Sequence, residues 1–273
     1  MNYSQTVVVF GAFGQLGSAL RQALLAKYNV VAVARSDLDI GNTNDVHTFL
    51  DTVQPHLVVN ALAYTDVQGA EQNKERCSLA NAAFPAEVSK ACERNRSYLI
   101  HISTDYVFNG QKGRPYSERD LPLPVNFYGL SKYMGERTIA PDSLILRTSW
   151  LYGGWTGKNF FLLMKRLAEK GEPVRMVSDQ FGSPTHVDHL IEVIMECLEQ
   201  RPVGLYHAAC EGVASWYDLA QHLNERHGFK LKIEKAKSCE FKRKAEIPIN
   251  TALDSEKLAK ALGPRFNKHW REY

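Results

Sequence analysis

The sequence has 273 residues, of which 44% are hydrophobic and 23% are charged, and its formal net charge is +3. These values are ordinary for a folded protein with a sizeable core, and they exclude a disordered chain or a collagen-like repeat. So small a net charge does not by itself indicate nucleic acid or a membrane surface as a partner.

The five cysteines are odd in number, widely scattered and free of any CxxC spacing. They predict neither a disulfide framework nor a zinc ribbon, and they suit a reducing compartment. The first residues run directly into an apolar strand without a basic segment or cleavage site, and no apolar run approaches membrane-spanning length. We therefore expect a cytoplasmic protein that makes no membrane contact.

The first predicted elements are a strand at Thr6–Phe10 and a helix marked by Leu20, Leu24 and Leu25. Between them, Gly11, Gly14 and Gly17 form G-x-x-G-x-x-G, which allows a tight turn and brings backbone N–H groups close to a pyrophosphate. Glycines that merely close a turn would show the same spacing. The position between a first strand and a first helix nevertheless favours a dinucleotide site.

Further buried strands are predicted at residues 29–34, 57–59, 98–103 and 143–147, in alternation with helical segments. This alternation predicts an α/β fold of the Rossmann type, a doubly wound parallel sheet with a smaller C-terminal substrate-binding lobe. We expect residues 1–150 to form the NAD(P)-binding Rossmann domain, to which later segments can return. Residues 151–273 are expected to form mainly the substrate-binding lobe, with helices near 160–169, 187–198 and 216–227 and strands at 174–177 and 205–207.

The second strand ends without the acidic residue that commonly binds the ribose, and Arg35 stands close to that position. A guanidinium there could hold a 2′-phosphate, which favours NADPH over NADH, although a solvated loop arginine fits the sequence equally well. Asp39 and Ile40 follow and could hydrogen-bond and flank the adenine. NADPH, with NADH as the alternative, is therefore the expected cofactor.

A tyrosine and a lysine with Y-x-x-x-K spacing, Tyr128 and Lys132, follow the strand that ends at Thr104 and Asp105. The i, i+4 spacing places both side chains on one helix face, where the ammonium should stabilise the phenolate and lower the pKa of the tyrosine. Thr104 could donate a second hydrogen bond to the same carbonyl oxygen. A packed Tyr128 with a solvated Lys132 is the alternative, but the order of the motifs favours a tyrosine-dependent reductase.

These motifs resemble the extended short-chain dehydrogenase/reductases, and within them the dTDP-4-dehydrorhamnose reductase family, over most of the chain. The segments that carry the resemblance beyond the generic elements are Val59-Asn60-Ala61 through Thr65, Ala70-Glu71, residues 103–108, residues 146–150, Asn159-Phe160, residues 179–182 and Pro184-Thr185.

The resemblance implies NAD(P)H-dependent reduction of the 4-keto group of a dTDP-4-dehydro-6-deoxy sugar, giving dTDP-rhamnose or a close epimer. Tyr128 would be the proton donor, and Lys132 its partner and a ligand of the nicotinamide ribose. The substrate-binding residues would be Val67, Thr104, Asp105, Tyr128 and Trp150, although Trp150 could instead be core. The expected cofactor-binding residues are Gly11, Phe13, Gly14, Gln15, Leu16, Arg35, Asp39, Ile40, Leu62, Ala63, Tyr64, Tyr128 and Lys132.

Two other functions are compatible with the pattern: a non-catalytic regulatory subunit that keeps the cofactor site, and a reductase of a different nucleotide sugar. The family commonly has an Arg-Pro pair where this chain has Ile247-Pro248, so a basic contact expected there is missing. The expected partner is a nucleotide-sugar substrate rather than nucleic acid, and a homodimer is a further expectation.

Two charged clusters have simpler explanations. His186, Asp188 and His189 could suggest a metal site, but they begin an amphipathic helix without an evident cluster of further ligands, and we expect no metal. A basic stretch could bind nucleic acid or a pyrophosphate-bearing substrate, but few aromatic residues are interleaved, which favours a solvated strand and loop. Its residues are Lys230, Lys232, Lys235, Lys237, Lys242, Arg243 and Lys244.

Overall fold

A six-stranded sheet forms the centre of the structure, a computed structural model that describes residues 5–34, 36–154, 156 and 159–273. The strand order is β2-β1-β3-β4-β5-β10, and every neighbouring pair is parallel. The predicted fold class is therefore confirmed. The strands are β1 (Thr6–Phe10), β2 (Asn29–Val33), β3 (Leu57–Asn60), β4 (Tyr98–Thr104), β5 (Leu144–Thr148) and β10 (Gly204–His207).

Both faces of the sheet are covered by helices, which explains why its central strands are apolar without interruption. In β1, Val7 and Val9 pack with helices α1, α8 and α10, whereas Val8 and Phe10 pack with α2 and α5 on the opposite face. Helix α6 packs against α5 and β4. These helices are α1 (Gln15–Leu24), α2 (Thr43–Val53), α5 (Phe84–Asn95), α6 (Phe127–Glu136), α8 (Val187–Gln200) and α10 (Glu256–Leu262).

A second, smaller core lies in the C-terminal half of the chain. Met164, Leu219 and Trp270 are buried there, among the side chains of helices α7 and α9 and the parallel strand pair β7 and β12. The remaining helices and strands are α3 (Val67–Ala70), α4 (Lys74–Ser78), β6 (Leu151–Tyr152), α7 (Phe160–Lys170), β7 (Val174–Val177), β8 (Phe181–Gly182), β9 (Thr185–His186), β11 (Ala214–Ser215), α9 (Trp216–His227) and β12 (Ile233–Ala236). Of these, α3 and α4 contact α6 of the central unit.

Residues beyond position 150 contribute to both units. Strand β10 pairs with β5 at the edge of the central sheet, with Leu205 opposite Ile145, and helix α8 packs on α1. The strand predicted near residues 205–207 thus belongs to the central sheet, whereas β7 and β12 belong to the smaller unit.

The order of the strands also fixes where a ligand can enter. Strand β1 lies between β2 and β3, so the connections that leave the carboxyl ends of β1 and β3 diverge and open a crevice at that edge. Strands β4 and β5 end at the same edge. The glycine turn after β1 and the Thr104-Asp105 pair after β4 therefore border one crevice.

Candidate active site

The glycine turn joins β1 to α1 where the backbones of two loops come very close. Gly11 has φ +73°, and a Cβ atom on it would lie 2.7 Å from the backbone nitrogen of Leu62. Only glycine fits such an approach in that conformation without strain. Helix α1 begins after Gly14, and no side chain caps it. Its first backbone N–H groups therefore face the crevice without a protein acceptor, as an anion site requires.

The other residues predicted in this turn have different side-chain roles. The Gln15 amide donates hydrogen bonds to the carbonyl oxygens of Leu151 and Gly153, each at 3.2 Å, and so ties α1 to the smaller unit. The Leu16 side chain is core. Phe13 is 55% exposed, with the Arg21 guanidinium 4.8 Å from its ring centroid. Gln15 and Leu16 can therefore meet a pyrophosphate through their backbone.

A cavity of about 410 Å³ lies between the loops that follow β2 and β3. Five of the predicted cofactor-binding residues line it, at positions 39, 40, 62, 63 and 64, together with five residues that the sequence did not indicate. Arg35 lies outside the described residues, so the expected 2′-phosphate contact stays a prediction. The lining residues are Ser36, Leu38, Asp39, Ile40, Leu62, Ala63, Tyr64, Arg76, Leu79 and Ala80.

The loop after β3 is held in place by Asn81, a residue that the sequence analysis missed. Its side chain accepts from the Tyr64 backbone N–H at 2.8 Å and donates to the Tyr64 carbonyl at 3.1 Å and to Ser131 Oγ at 2.9 Å. Asn81 is fully buried in a π-helical turn, Leu79–Ala83. Such turns are frequent at functional sites. One amide thus fixes the cofactor loop relative to α6.

Thr104 and Asp105 are buried at the end of β4. Thr104 Oγ1 donates to Asp105 Oδ1 at 3.2 Å, and the hydroxyls of Ser149 and Thr251 also bond the carboxyl group. Burial nevertheless raises the pKa of Asp105 to about 6, because desolvation of the carboxylate outweighs these three hydroxyl bonds. Thr251 comes from the far end of the chain, and its contact closes the site from the side of the smaller unit.

Helix α6 carries Tyr128 to the same place. Asn126 caps the helix by accepting from the Gly129 N–H at 2.8 Å, and a Cβ atom on Gly129 would lie 2.1 Å from the carbonyl oxygen of Tyr106. The Tyr128 side chain lies next to Thr104. Burial raises the pKa of Tyr128 to about 12, and the charge of Asp105 adds to the rise.

Lys132 is buried one turn along the helix, but its ammonium has its own partners. Nζ donates to the Ile102 carbonyl at 2.6 Å and lies 3.5 Å from His101 Nε2. Burial lowers the pKa of Lys132 to about 8, and the nearby Glu136 carboxylate opposes that fall. The predicted lowering of the Tyr128 pKa by Lys132 is therefore wrong for this structure, because burial of the phenol dominates.

The two other residues predicted to contact the sugar lie at the border with the smaller unit. Val67 is half-buried and begins α3. Trp150 has φ +45°, a strained conformation for so bulky a residue, and its ring stacks on Trp216 with centroids 3.7 Å apart. Gly182 makes room for the other side of the indole. Trp150 is half-buried in an aromatic stack rather than enclosed in a core.

The histidine cluster and the basic stretch that the sequence analysis discounted make contacts within the protein. His186 caps α8 and stacks on Tyr273, and among the described residues no group of three or more His, Cys, Asp or Glu is arranged to hold a metal ion. In the basic stretch, Lys232 pairs with Glu234, and Lys235 lies over the Tyr217 ring. Within the described ranges, no helix has the length and apolarity needed to cross a bilayer.

The sequence model of one protein family, described as the RmlD substrate binding domain, matches residues 5–273. The chain belongs to this family. The resemblance inferred from the motifs is therefore confirmed, and the RmlD family assignment covers both the central sheet and the smaller unit.

Individual relatives of this RmlD family member align over almost their whole lengths. The spore coat polysaccharide biosynthesis protein SpsK of Bacillus subtilis is 38% identical, covering 97% of this chain and 94% of its own. The dTDP-4-dehydrorhamnose reductase of Mycobacterium tuberculosis is 37% identical, covering 98% and 90%. The crystal structure of the Bacillus anthracis dTDP-4-dehydrorhamnose reductase in complex with NADP is 32% identical, with a TM-score of 0.93 and coverage of 98% and 96%.

Proposed function

We propose that the protein reduces the 4-keto group of a dTDP-4-dehydro-6-deoxy sugar with NADPH, converting dTDP-4-dehydrorhamnose to dTDP-rhamnose. The observation that carries the proposal is the junction of Tyr128 with Thr104 and Asp105 at the crevice beside the glycine turn. Family membership, and relatives named as reductases of this substrate, support the same reaction.

The residues present fit a dinucleotide. The uncapped N-terminus of α1 and the close approach at Gly11 form a cradle for a pyrophosphate. The cavity lined by Asp39, Ile40 and Leu62 has room and apolar walls for an adenosine. NADP is bound in the related B. anthracis enzyme. When bound, the reduced cofactor supplies the hydride for the ketone carbon.

Tyr128 delivers the proton in this proposal. A phenol with a pKa near 12 stays protonated at neutral pH, so it is available as an acid and donates its proton only to a strongly basic oxygen. The alkoxide that develops on the reduced ketone is such an oxygen. Thr104 would supply a second donor there once its hydroxyl turns from Asp105 to the alkoxide. Lys132, which carries positive charge below about pH 8, would bind the nicotinamide ribose.

The remaining expectations are proposals of the same kind. Residues up to about 150, with α8 and β10, would bind the cofactor, and the smaller unit would bind the nucleotide part of the substrate. A homodimer and a cytoplasmic location also stay predictions, which light scattering of the purified protein and cell fractionation would check.

The test is a panel of nucleotide ketosugars assayed with NADPH and with NADH. We expect oxidation of NADPH with the dTDP-4-dehydro-6-deoxy sugar and formation of dTDP-rhamnose, identified by chromatography and NMR. Turnover with a different ketosugar would assign a related reductase. Cofactor binding without turnover of any ketosugar would contradict the proposal and favour a regulatory subunit.

Tyr128→Phe tests the acid directly. We expect kcat to fall by about 100- to 10,000-fold, the usual range for loss of a general acid, with NADPH binding retained. Tyr133→Phe, on the same helix, is the matched control and should keep its activity. Undiminished turnover by Tyr128→Phe would remove the assigned role.

A further inference from the structure

Residues 243–246, the rim segment, are held by hydrogen bonds to three other parts of the chain. The Arg243 guanidinium donates to Gln180 Oε1 at 2.8 Å. Gln68 Oε1 accepts from the backbone N–H groups of residues 244 and 245. Asn126, the residue that caps α6, donates from its side chain to the carbonyl oxygen of residue 246 at 2.8 Å. The rim segment is therefore fixed beside the helix that carries Tyr128.

The anchor of Arg243 leads directly to the reacting groups. Gln180 is buried and precedes Phe181, whose backbone bonds Ile249 at 2.7 Å and Thr251 at 3.0 Å. The Thr251 hydroxyl in turn bonds the Asp105 carboxyl. The guanidinium is thus connected with the Asp105 carboxyl group through the Gln180–Phe181 peptide and the hydrogen bonds on either side of it.

The positive charge of Arg243 also affects the side chain of Tyr106. It partly offsets the rise in the pKa of Tyr106 that burial causes. The Tyr106 ring packs edge-on against Tyr128, with centroids 5.6 Å apart. Arg243 therefore lies close enough to interact electrostatically with Tyr106, the ring that packs against the proposed proton donor.

The guanidinium keeps most of its donors. Its hydrogen-bond partner, Gln180, is neutral, and none of the salt bridges among the described residues includes Arg243. A guanidinium has five N–H donors in a planar fork that matches phosphate oxygens. The side chain is exposed, so a ligand can reach it. An anion with two or more phosphate oxygens would complete its hydrogen bonding.

We propose that Arg243 binds the diphosphate of the nucleotide-sugar substrate, an inference that rests on the proposed function. With the 4-keto group at Tyr128, the C1 atom lies across the pyranose ring, so the diphosphate begins about one ring width from the phenol. We place it on the side of the rim segment, which Asn126 holds two residues before Tyr128. The cation stands in the segment where Ile247 occupies the position expected to be basic. Arg243 is thereby a substrate-specificity residue, four positions before Ile247 in the sequence.

The kinetic test compares Arg243→Ala with Lys242→Ala, a matched loss of charge at the neighbouring exposed position. Loss of a charged hydrogen bond typically weakens binding by about 10- to 100-fold. We expect Arg243→Ala to raise KM for the dTDP-ketosugar by this factor, with kcat changed less than about threefold. KM for NADPH, and both constants of Lys242→Ala, should stay at wild-type values. Equal KM values for the two variants would overturn the proposal.

A binding test separates this role from a structural one and needs no turnover. Calorimetry of the full-length protein would measure dTDP and thymidine. We expect Arg243→Ala to weaken dTDP binding about 10- to 100-fold and to leave thymidine unchanged. Equal weakening of both ligands would show a structural role and would refute diphosphate contact. Wild-type protein that binds dTDP tightly but reduces no ketosugar would contradict the proposed function alone.

Discussion

At the scale of single residues, Asp105 is a buried acid that titrates close to neutral pH. Its pKa of about 6 lies above the usual value because burial penalises the carboxylate. Hydroxyl groups of Thr104, Ser149 and Thr251 surround it, and Thr104 links it to Tyr128. The site therefore holds a carboxyl whose charge changes in a pH range where the enzyme can be assayed.

The raised pKa predicts how stability depends on pH. Because the folded-state value exceeds the unfolded one, the protonated carboxyl favours the folded state, and that stability is lost as pH rises from about 4 to 6. The asparagine of Asp105→Asn does not titrate. The free energy of unfolding of this variant, relative to that of the wild type, should therefore rise by roughly 3 kcal/mol between pH 4 and pH 7. Urea unfolding at both pH values would measure the difference.

Asp120→Asn is the control of opposite sign. Burial alone would raise the pKa of Asp120, but bonds from Lys112 and Ser117 outweigh it and lower the pKa to about 2. This variant should lose stability relative to the wild type above about pH 4. A gain by Asp105→Asn that is independent of pH would show that its carboxyl is not titrating in the fold.

At the scale of elements, the orientation of helix α6 depends on one close backbone contact. The helix passes so near the Tyr106 carbonyl that residue 129 has no room for a side chain. Asn126 and the Glu71 carboxylate, which accepts from the Phe127 N–H at 2.8 Å, fix the start of the helix. The position of the Tyr128 phenol is therefore set by backbone geometry.

Gly129→Ala should accordingly impair catalysis more than cofactor binding. The added methyl group must push α6 away from Tyr106, and such a displacement of a reacting group can cost about 100-fold in rate. We expect kcat to fall at least tenfold, while NADPH affinity, measured by fluorescence titration, changes less. Leu130→Ala, at an exposed neighbouring position, should have wild-type kcat. A fully active Gly129→Ala would show that α6 can shift without loss.

The sequence predicts best what is local to one element. The strands, the glycine turn and the Tyr128–Lys132 pair each have a short-range pattern, and the structure brings them to one crevice. Asn81 and Thr251 reach the site from distant segments, so no local spacing marks them. The sequence predicts a lowered pKa for Tyr128, whereas burial raises it. That prediction is wrong because burial of the phenol depends on packing that the sequence does not display.

At the scale of the whole molecule, the two units share one chain without a single boundary. The chain leaves the central sheet after β5, forms part of the smaller unit, and returns with α8 and β10 before leaving again. Val187, Leu190 and Val193 of α8 belong to the same core cluster as Val7 and Val9 of β1. The crevice is therefore bordered by segments of a chain that passes more than once between the two units.

A fragment of residues 1–150 should consequently fail to fold on its own. It lacks α8 and β10, so one face of the sheet loses its apolar cover and β5 becomes an exposed edge. Circular dichroism during heating should show no cooperative transition for the fragment, and co-expression with residues 151–273 should restore one. Cooperative unfolding of the fragment alone would contradict this dependence.

The late return of β10 has a consequence for biosynthesis. Because the ribosome makes the chain from its N-terminus, the backbone groups along the outer side of β5 have no strand partner until residues 204–207 emerge. Until then the nascent polypeptide carries an open template for pairing with other chains. Holding that template until translation passes residue 207 is a task suited to a chaperone.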